Sequence, residues 1–261
     1  MELARERIWG ELEKALMKAE KPSIFFETLR EMNQLKDWFP ELEDLIGVPQ
    51  NPIYHPEGDV WNHTMLVIDE AAKLKFFTSN PKGFMLTAIC HDFGKAITTE
   101  EVNGKIRALE HEIKGLPLVE TFLDRIVNEN DTKKYVMNMV ELHMRPSILA
   151  STNCKKKVSN KMFDISICPH DLILFAKADH LGRLNPLSFD EIEDFLNERL
   201  KWFDEVMNKP EVMGKDLIKA GLKPSPKFTQ YLEFAHKLHL ANVDKETALK
   251  QILGEIRNNK I

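Results

Sequence analysis

The sequence contains no apolar run approaching the roughly 20 residues that a membrane-spanning helix needs, so no helical span is expected. Cysteine is scarce, and Cys90, Cys154 and Cys168 form no Cys-x-x-Cys pair. A disulfide framework is thereby excluded, and the usage suits a reducing cytosol. Positive charge is not in excess either. Lys and Arg total 36 against 41 Asp and Glu, for a net charge of −5. No global basic field advertises nucleic-acid binding, and any RNA contact must be local. The opening MELARERIWG is charged and helical in pattern, which argues against a signal peptide and for a cytoplasmic location. Internal repeats, long low-complexity segments and alternating strands longer than four residues are also missing.

What is present reads as all-α. The 261 residues suffice for one large domain or two small ones, and 43% apolar with 30% charged residues is an ordinary globular balance. Residues 2 to about 19 place Leu3, Ile8, Trp9, Leu12, Ala15 and Leu16 at helical spacing. Pro22-Ser23 opens a second helix. The segment GVPQNPIYHPEGD, with three prolines and two glycines, is a loop, and Asp59 is placed to cap the helix that follows over 60–76. Further helices are expected at 84–93, 116–128, 132–144, 170–181, 189–208, 226–240 and 244–257. The polar, basic stretch STNCKKKVSNKMFD (151–164) reads as a loop. Trp61, Phe175, Phe195 and Phe203 sit at helical spacing and read as core.

Several polar residues occupy apolar helix faces. His63 shares a face with Val60, Val67 and Ala71, and His143 aligns with Tyr135, Val136, Met139 and Val140. Asp179 lies with Leu172, Phe175 and Ala176. In AICHDFGK (88–95) an apolar helix ends on the adjacent pair His91-Asp92. Each such group alone is ordinarily a hydrogen-bonded core residue. Together they give the order His63, His91-Asp92, Asp179, a set suited to a divalent transition metal such as manganese, iron, nickel, cobalt or zinc, with magnesium a further candidate. His111 and His143 are positioned to join them, and the two oxygens of Asp92 can bridge two ions. Near a helix end the adjacent His91 and Asp92 can lean toward one ion beyond the last turn.

These motifs resemble the HD-domain phosphohydrolase superfamily, and more closely the C-terminal part of bacterial CCA-adding enzymes (tRNA nucleotidyltransferases). ERIWGELEKAL, PSIFFETLREMNQL and WFPELEDLIGVPQ look like the helices before the HD core in that family. YHPEGDVWNHTM and CHDFGK look like its first two metal motifs, ADHLGR (178–183) like its final aspartate motif, and MGKDLIKAGLKPSP (213–226) like its C-terminal helical segment. The resemblance implies a helical segment at 1–50, an HD phosphohydrolase core at 51–209 and a C-terminal helical segment at 210–261. The nucleotidyltransferase head of that family needs a Gly-Ser segment followed by Asp-x-Asp, and this sequence contains neither. The chain also starts where the head should already have passed, so nucleotide addition is not expected of it.

The activity implied is metal-dependent hydrolysis of phosphate esters, in particular 2′,3′-cyclic phosphodiesters and 2′- or 3′-nucleotides. A divalent ion provides hydroxide at neutral pH and neutralises charge developing on the phosphoryl oxygens. Lys95 follows Asp92 by three residues, Arg183 follows Asp179 by four, and Arg145 follows His143 by two. Each is a candidate to hold a phosphate oxygen, and arginine can do so through two bonds. Asp92, Lys95, Arg183 and Arg145 are therefore the expected catalytic groups, with His55 and Glu57 of the preceding loop as candidate substrate contacts. The expected partner is a small nucleotide, with a tRNA or other RNA end, or an accessory RNA-binding role, as alternatives.

Overall fold

The computed structural model of the chain describes residues 2–258, with side chains described from Arg7 onward, so Leu3 of the expected N-terminal stripe lies outside them. The described chain is helical apart from one small antiparallel hairpin, in agreement with the all-α reading. Most expected helices are present within a few residues of their expected bounds, among them Val60–Leu74, Pro81–Cys90, Leu116–Ile126, Asn130–Leu142, Pro169–Leu181 and Asp190–Met207. Among the described residues no helix is long and apolar enough to cross a membrane.

Two compact units emerge. One comprises the chain up to Ile148 together with Ser166–Asp194; the other comprises Leu149–Ile165 and the chain from Phe195.

In the first unit the helix Val60–Leu74 packs on Pro169–Leu181 and on Pro81–Cys90, which packs in turn on Asn130–Leu142. Local signals set these helices. Asp59 caps Val60–Leu74 by accepting from Asn62 N at 2.9 Å, as expected, and also ties down Gly47 N at 2.8 Å. Asn80 caps the next helix by accepting from Gly83 N at 2.9 Å, with Pro81 in its first turn. Trp61, Val67, Ile68, Phe84, Ile89 and Phe175 are fully buried between them. Gly182 permits a close approach: a Cβ there would stand 2.8 Å from the Val67 backbone.

The hairpin pairs β1 (Thr99–Val102) with β2 (Lys105–Ala108) through Asn103-Gly104, both with positive φ. This Asn-Gly turn suits a two-residue hairpin because its twist matches the strands, and it was the available sequence signal for a sheet.

The second unit packs Phe228–Leu240 against Lys245–Arg257 and Lys156–Ile165. Its core is apolar: Val212, Leu217, Tyr231, Ala235, Ala248 and Ile252. The stretch 151–164, expected as a loop, is largely helix Lys156–Ile165. Its lysines mask a helical repeat: Ser159, Asn160, Met162 and Phe163 are buried while the charges face outward.

Candidate metal centre

Two helices of the first unit end at ligand candidates. His91 is the C-cap of Pro81–Cys90, and His143 is the C-cap of Asn130–Leu142. Carbonyls in the last turn of a helix lack intrahelical partners. Each histidine supplies one. His91 Nδ1–H donates to Ala88 O at 3.1 Å, and His143 Nδ1–H to Val140 O at 2.7 Å. His111 repeats the i−3 pattern after the hairpin, donating from Nδ1 to Ala108 O at 2.9 Å. A backbone oxygen can only accept, so in the neutral ring Nε2 is left as a bare lone pair.

All three Nε2 atoms face one carboxylate, and that carboxylate, Asp92, overrides burial to raise the pKa of His111. Asp92 Oδ2 lies 3.2 Å from His91 Nε2, and Oδ1 lies 3.1 Å from His111 Nε2 and 3.8 Å from His143 Nε2. His111 Nε2 and His143 Nε2 are themselves 3.3 Å apart. Burial works against ionising Asp92, but the neighbouring His91 and Lys95 outweigh it and hold the carboxyl well below its usual range. Burial, with His111 and His91 adding to it, pushes the His143 pKa down to about 3. The result is an electron-rich pocket in which both Asp92 oxygens and His91 Nε2 are buried without a hydrogen-bond partner of proper geometry. Such groups are costly to bury unless something positive completes them.

His63 and Asp179 extend the cluster. His63 Nε2 stands 3.0 Å from Asp179 Oδ1 and 3.9 Å from Asp92 Oδ2. Its Nδ1–H is shared between Gly182 O at 3.1 Å and Glu57 Oε1 at 3.0 Å. Burial disfavours protonating His63, but Asp179 and Glu57 together prevail and raise its pKa. Candidate ligand atoms of His63, His91 and Asp92, and of Asp92, His111 and His143, lie within 4.8 Å of one another in each group, close enough to hold a metal ion. A third such group, His55, Glu57 and His63, adjoins them. Six polar residues from five separate places in the sequence, His63, the adjacent His91 and Asp92, His111, His143 and Asp179, thus meet in one buried cluster.

The expected phosphate contacts divide. Lys95 Nζ lies 2.7 Å from Asp92 Oδ2 and donates to Gln50 Oε1 at 2.7 Å. Arg183 lines the same cavity, and its Nε is buried without a partner. Arg145 is exposed at the start of helix Arg145–Ser151 and does not line the cavity. His55 lines the cavity and donates from Nδ1 to Glu57 Oε1 at 2.8 Å, while Glu57 is buried behind it.

Two contributors escaped the sequence reading. Gln50 ties Lys95 to the loop before the first ligand helix and donates to Asp59 O at 3.1 Å. Gly94 makes room for His111: a Cβ at Gly94 would fall 2.0 Å from His111 O. Its position directly after His91-Asp92-Phe93 was the only hint.

No protein-family model matches the chain. Curated relatives do. A multifunctional CCA protein of Actinobacillus pleuropneumoniae serotype 5b is 34% identical over 217 residues, covering 81% of this chain and 51% of the relative. That of Pseudoalteromonas atlantica is 32% identical over 227 residues, covering 85% and 53%. That of Methylococcus capsulatus is 41% identical over 141 residues, covering 54% and 32%. The chain is therefore a homologue of the multifunctional CCA proteins, and it spans about half the length of the Actinobacillus and Pseudoalteromonas relatives.

Proposed function

We propose that the chain is a metal-dependent phosphohydrolase acting on nucleotide phosphate esters, with 2′,3′-cyclic phosphodiesters and 2′-nucleotides as the leading substrates. One observation carries this reading: three imidazoles spend Nδ1 on the backbone and turn Nε2 toward a single buried carboxylate. Burial opposes protonating His111, but Asp92 raises its pKa, so a proton on His111 Nε2 answers part of the arrangement, while His91 Nε2 is still buried without a partner. In this reading His63, His91, Asp92 and Asp179 hold one divalent ion, and Asp92 with His111 and His143 holds a second. The donor set of imidazoles and carboxylates suits manganese, iron, cobalt, nickel or zinc. When bound, such ions supply Lewis acidity toward the phosphoryl group and an activated water at neutral pH.

The chain's own residues do the rest. Arg183 and Lys95 hold the phosphoryl oxygens, whose charge rises in the transition state. Glu57 orients both His55 and His63 by accepting their Nδ1–H groups. His55 is thereby held at the cavity, within reach of the leaving ribose oxygen. The core expected at 51–209 takes in the ligand-bearing part of the first unit together with 149–165 and 195–209 of the second. Homology to the CCA proteins supports a second reading, a module that binds or trims an RNA end such as that of tRNA.

The test is a panel of 2′,3′-cyclic nucleotides, nucleoside monophosphates, p-nitrophenyl esters and a tRNA end, assayed with metal-stripped protein and each divalent metal in turn. Hydrolysis that requires the metal is expected. Absence of turnover with every metal would leave only the binding-module reading.

A further inference from the structure

The cavity that opens on the metal cluster has a volume of about 260 Å³, near the lower end for small-molecule sites. Part of its lining is the polar set already described. Other parts come from the loop, at Pro49, Asn51 and Tyr54, and from the hairpin, at Thr99, Ile106, Ala108 and the cation Arg107.

Both elements are built as fixed walls. Thr99 pairs with Ala108 and Glu101 with Ile106, so Thr99, Ile106 and Ala108 lie on one face of the hairpin. Thr99 Oγ1 is buried there without a hydrogen-bond partner. The loop is held by Gln50 Nε2 bonded to Asp59 O at 3.1 Å and by a backbone bridge between Pro49 and Asp59. A turn closes over Asn51, whose carbonyl accepts from Tyr54 N at 3.1 Å and His55 N at 2.9 Å. Asn51 Oδ1 accepts from Ile53 N at 3.0 Å, which leaves its amide NH₂ to donate. This turn presents Tyr54, 63% exposed, at the cavity. An exposed aromatic ring at the cavity mouth offers a π-face on which a flat group can stack. The Gln50–Lys95 bond links the same loop to Asp92.

We infer that the loop at 49–55 and the β1–β2 hairpin form a nucleoside subsite. The base rests on Tyr54 and Ile106, Asn51 Nδ2 hydrogen-bonds its edge or the ribose, and the phosphate reaches Lys95, Arg183 and the histidine–aspartate cluster. This deepens the phosphohydrolase reading and rests on it for the position of the phosphate. The ligand is a single nucleoside phosphate and not a small ester without a base. Aromatic stacking of this kind tolerates any base, because each has a π-face.

The test uses ligands that cannot be hydrolysed at phosphorus–carbon bonds. Metal-loaded protein is titrated calorimetrically with adenosine and cytidine phosphonates, and with methylphosphonate as the base-free control. Both nucleoside phosphonates are expected to bind about tenfold or more tighter than methylphosphonate. Tyr54→Ala is expected to erase most of that difference and Tyr54→Phe to keep it, with the methylphosphonate affinity as internal control. Equal binding of all ligands to the wild type, or an unchanged preference in Tyr54→Ala, overturns the subsite while sparing the phosphohydrolase reading. Tight nucleoside binding without any methylphosphonate binding supports the wall and removes its phosphate partner. Failure of every ligand to bind overturns the subsite outright.

Discussion

The two compact units solve the problem of an interior differently. The second fills it with Val212, Leu217, Tyr231, Ala235, Ala248 and Ile252, and its buried polar residues among those described are Ser159, Asn160 and His239, with no carboxylate. The first buries Glu57, Asp92, Asp171 and Asp179 together with four histidines. Asp171 is satisfied by protein alone, accepting from Ser79 N, Ser79 Oγ and Tyr135 OH at 3.0, 2.6 and 2.9 Å. Asp92 is not. A fold can bury a carboxylate for structure, as at Asp171, by bringing donors to it. At Asp92 the helix ends bring imidazole nitrogens beside the Lys95 ammonium at 2.7 Å, and that contrast supports the metal reading.

The largest effect should follow from removing the carboxylate on which the cluster converges. Asp92→Ala is expected to slow hydrolysis of a 2′,3′-cyclic nucleotide by at least about 10³-fold, or about 4 kcal/mol of barrier. A stopped assay across the substrate panel checks this, and a variant within tenfold of wild type would contradict it. Arg183→Ala and Lys95→Ala should each retain metal yet slow the reaction at least about tenfold, about 1.4 kcal/mol, since each loses a charge-assisted contact to the phosphoryl group. Wild-type kcat/KM in both would remove the phosphate clamp.

Core substitutions can break the comparison itself. Gly94→Ala forces a Cβ onto His111 O and should lower stability by about 1–3 kcal/mol while weakening metal binding. Leu217→Ala in the apolar unit should cost about 2–5 kcal/mol and leave the metal content of the folded protein unchanged. Urea unfolding with elemental analysis reads both quantities. If the two variants lose metal alike, the interiors are not the separate structures described here.

The smallest effect concerns pH. In the second unit His236 donates from Nδ1 to Glu211 Oε1 at 2.9 Å and from Nε2 to Asp164 at 3.0 Å. Burial opposes its protonation, but the two carboxylates prevail and raise its pKa above 6.5. A raised folded-state pKa stabilises fully below the unfolded value, near 6.5, and the contribution is lost as pH climbs through the raised value. Wild type should therefore lose stability relative to His236→Gln as pH rises above about 6.5. A pH-independent difference would show that the pair of carboxylates does not set the charge of His236.

Much of the first unit was legible in the chain. Helical spacing located its main helices, and polar residues on apolar faces at the ends of Pro81–Cys90 and Asn130–Leu142 marked the cluster. His111 was harder to place, because it follows a hairpin and its approach depends on Gly94, a long-range steric fact. The hairpin itself was missed although Asn103-Gly104 announced it, since four-residue strands give too little alternation. Helix Lys156–Ile165 was hidden by its lysines, whose helical propensity counts for more than their charge. Arg145, close to His143 in sequence, follows it into a new helix and faces solvent, so sequence distance from a ligand is no measure of reach.

The central claim, that the buried histidine–aspartate cluster is a metal centre, is tested most directly by elemental analysis of purified wild type and Asp92→Ala, both first shown to be folded by circular dichroism. One to two equivalents of a transition metal are expected in the wild type and less than about a tenth of that in the variant, since Asp92 supplies oxygens to both candidate positions. Equal metal content in the two proteins, or none in a wild type that has been offered manganese, cobalt, nickel and zinc, would contradict it.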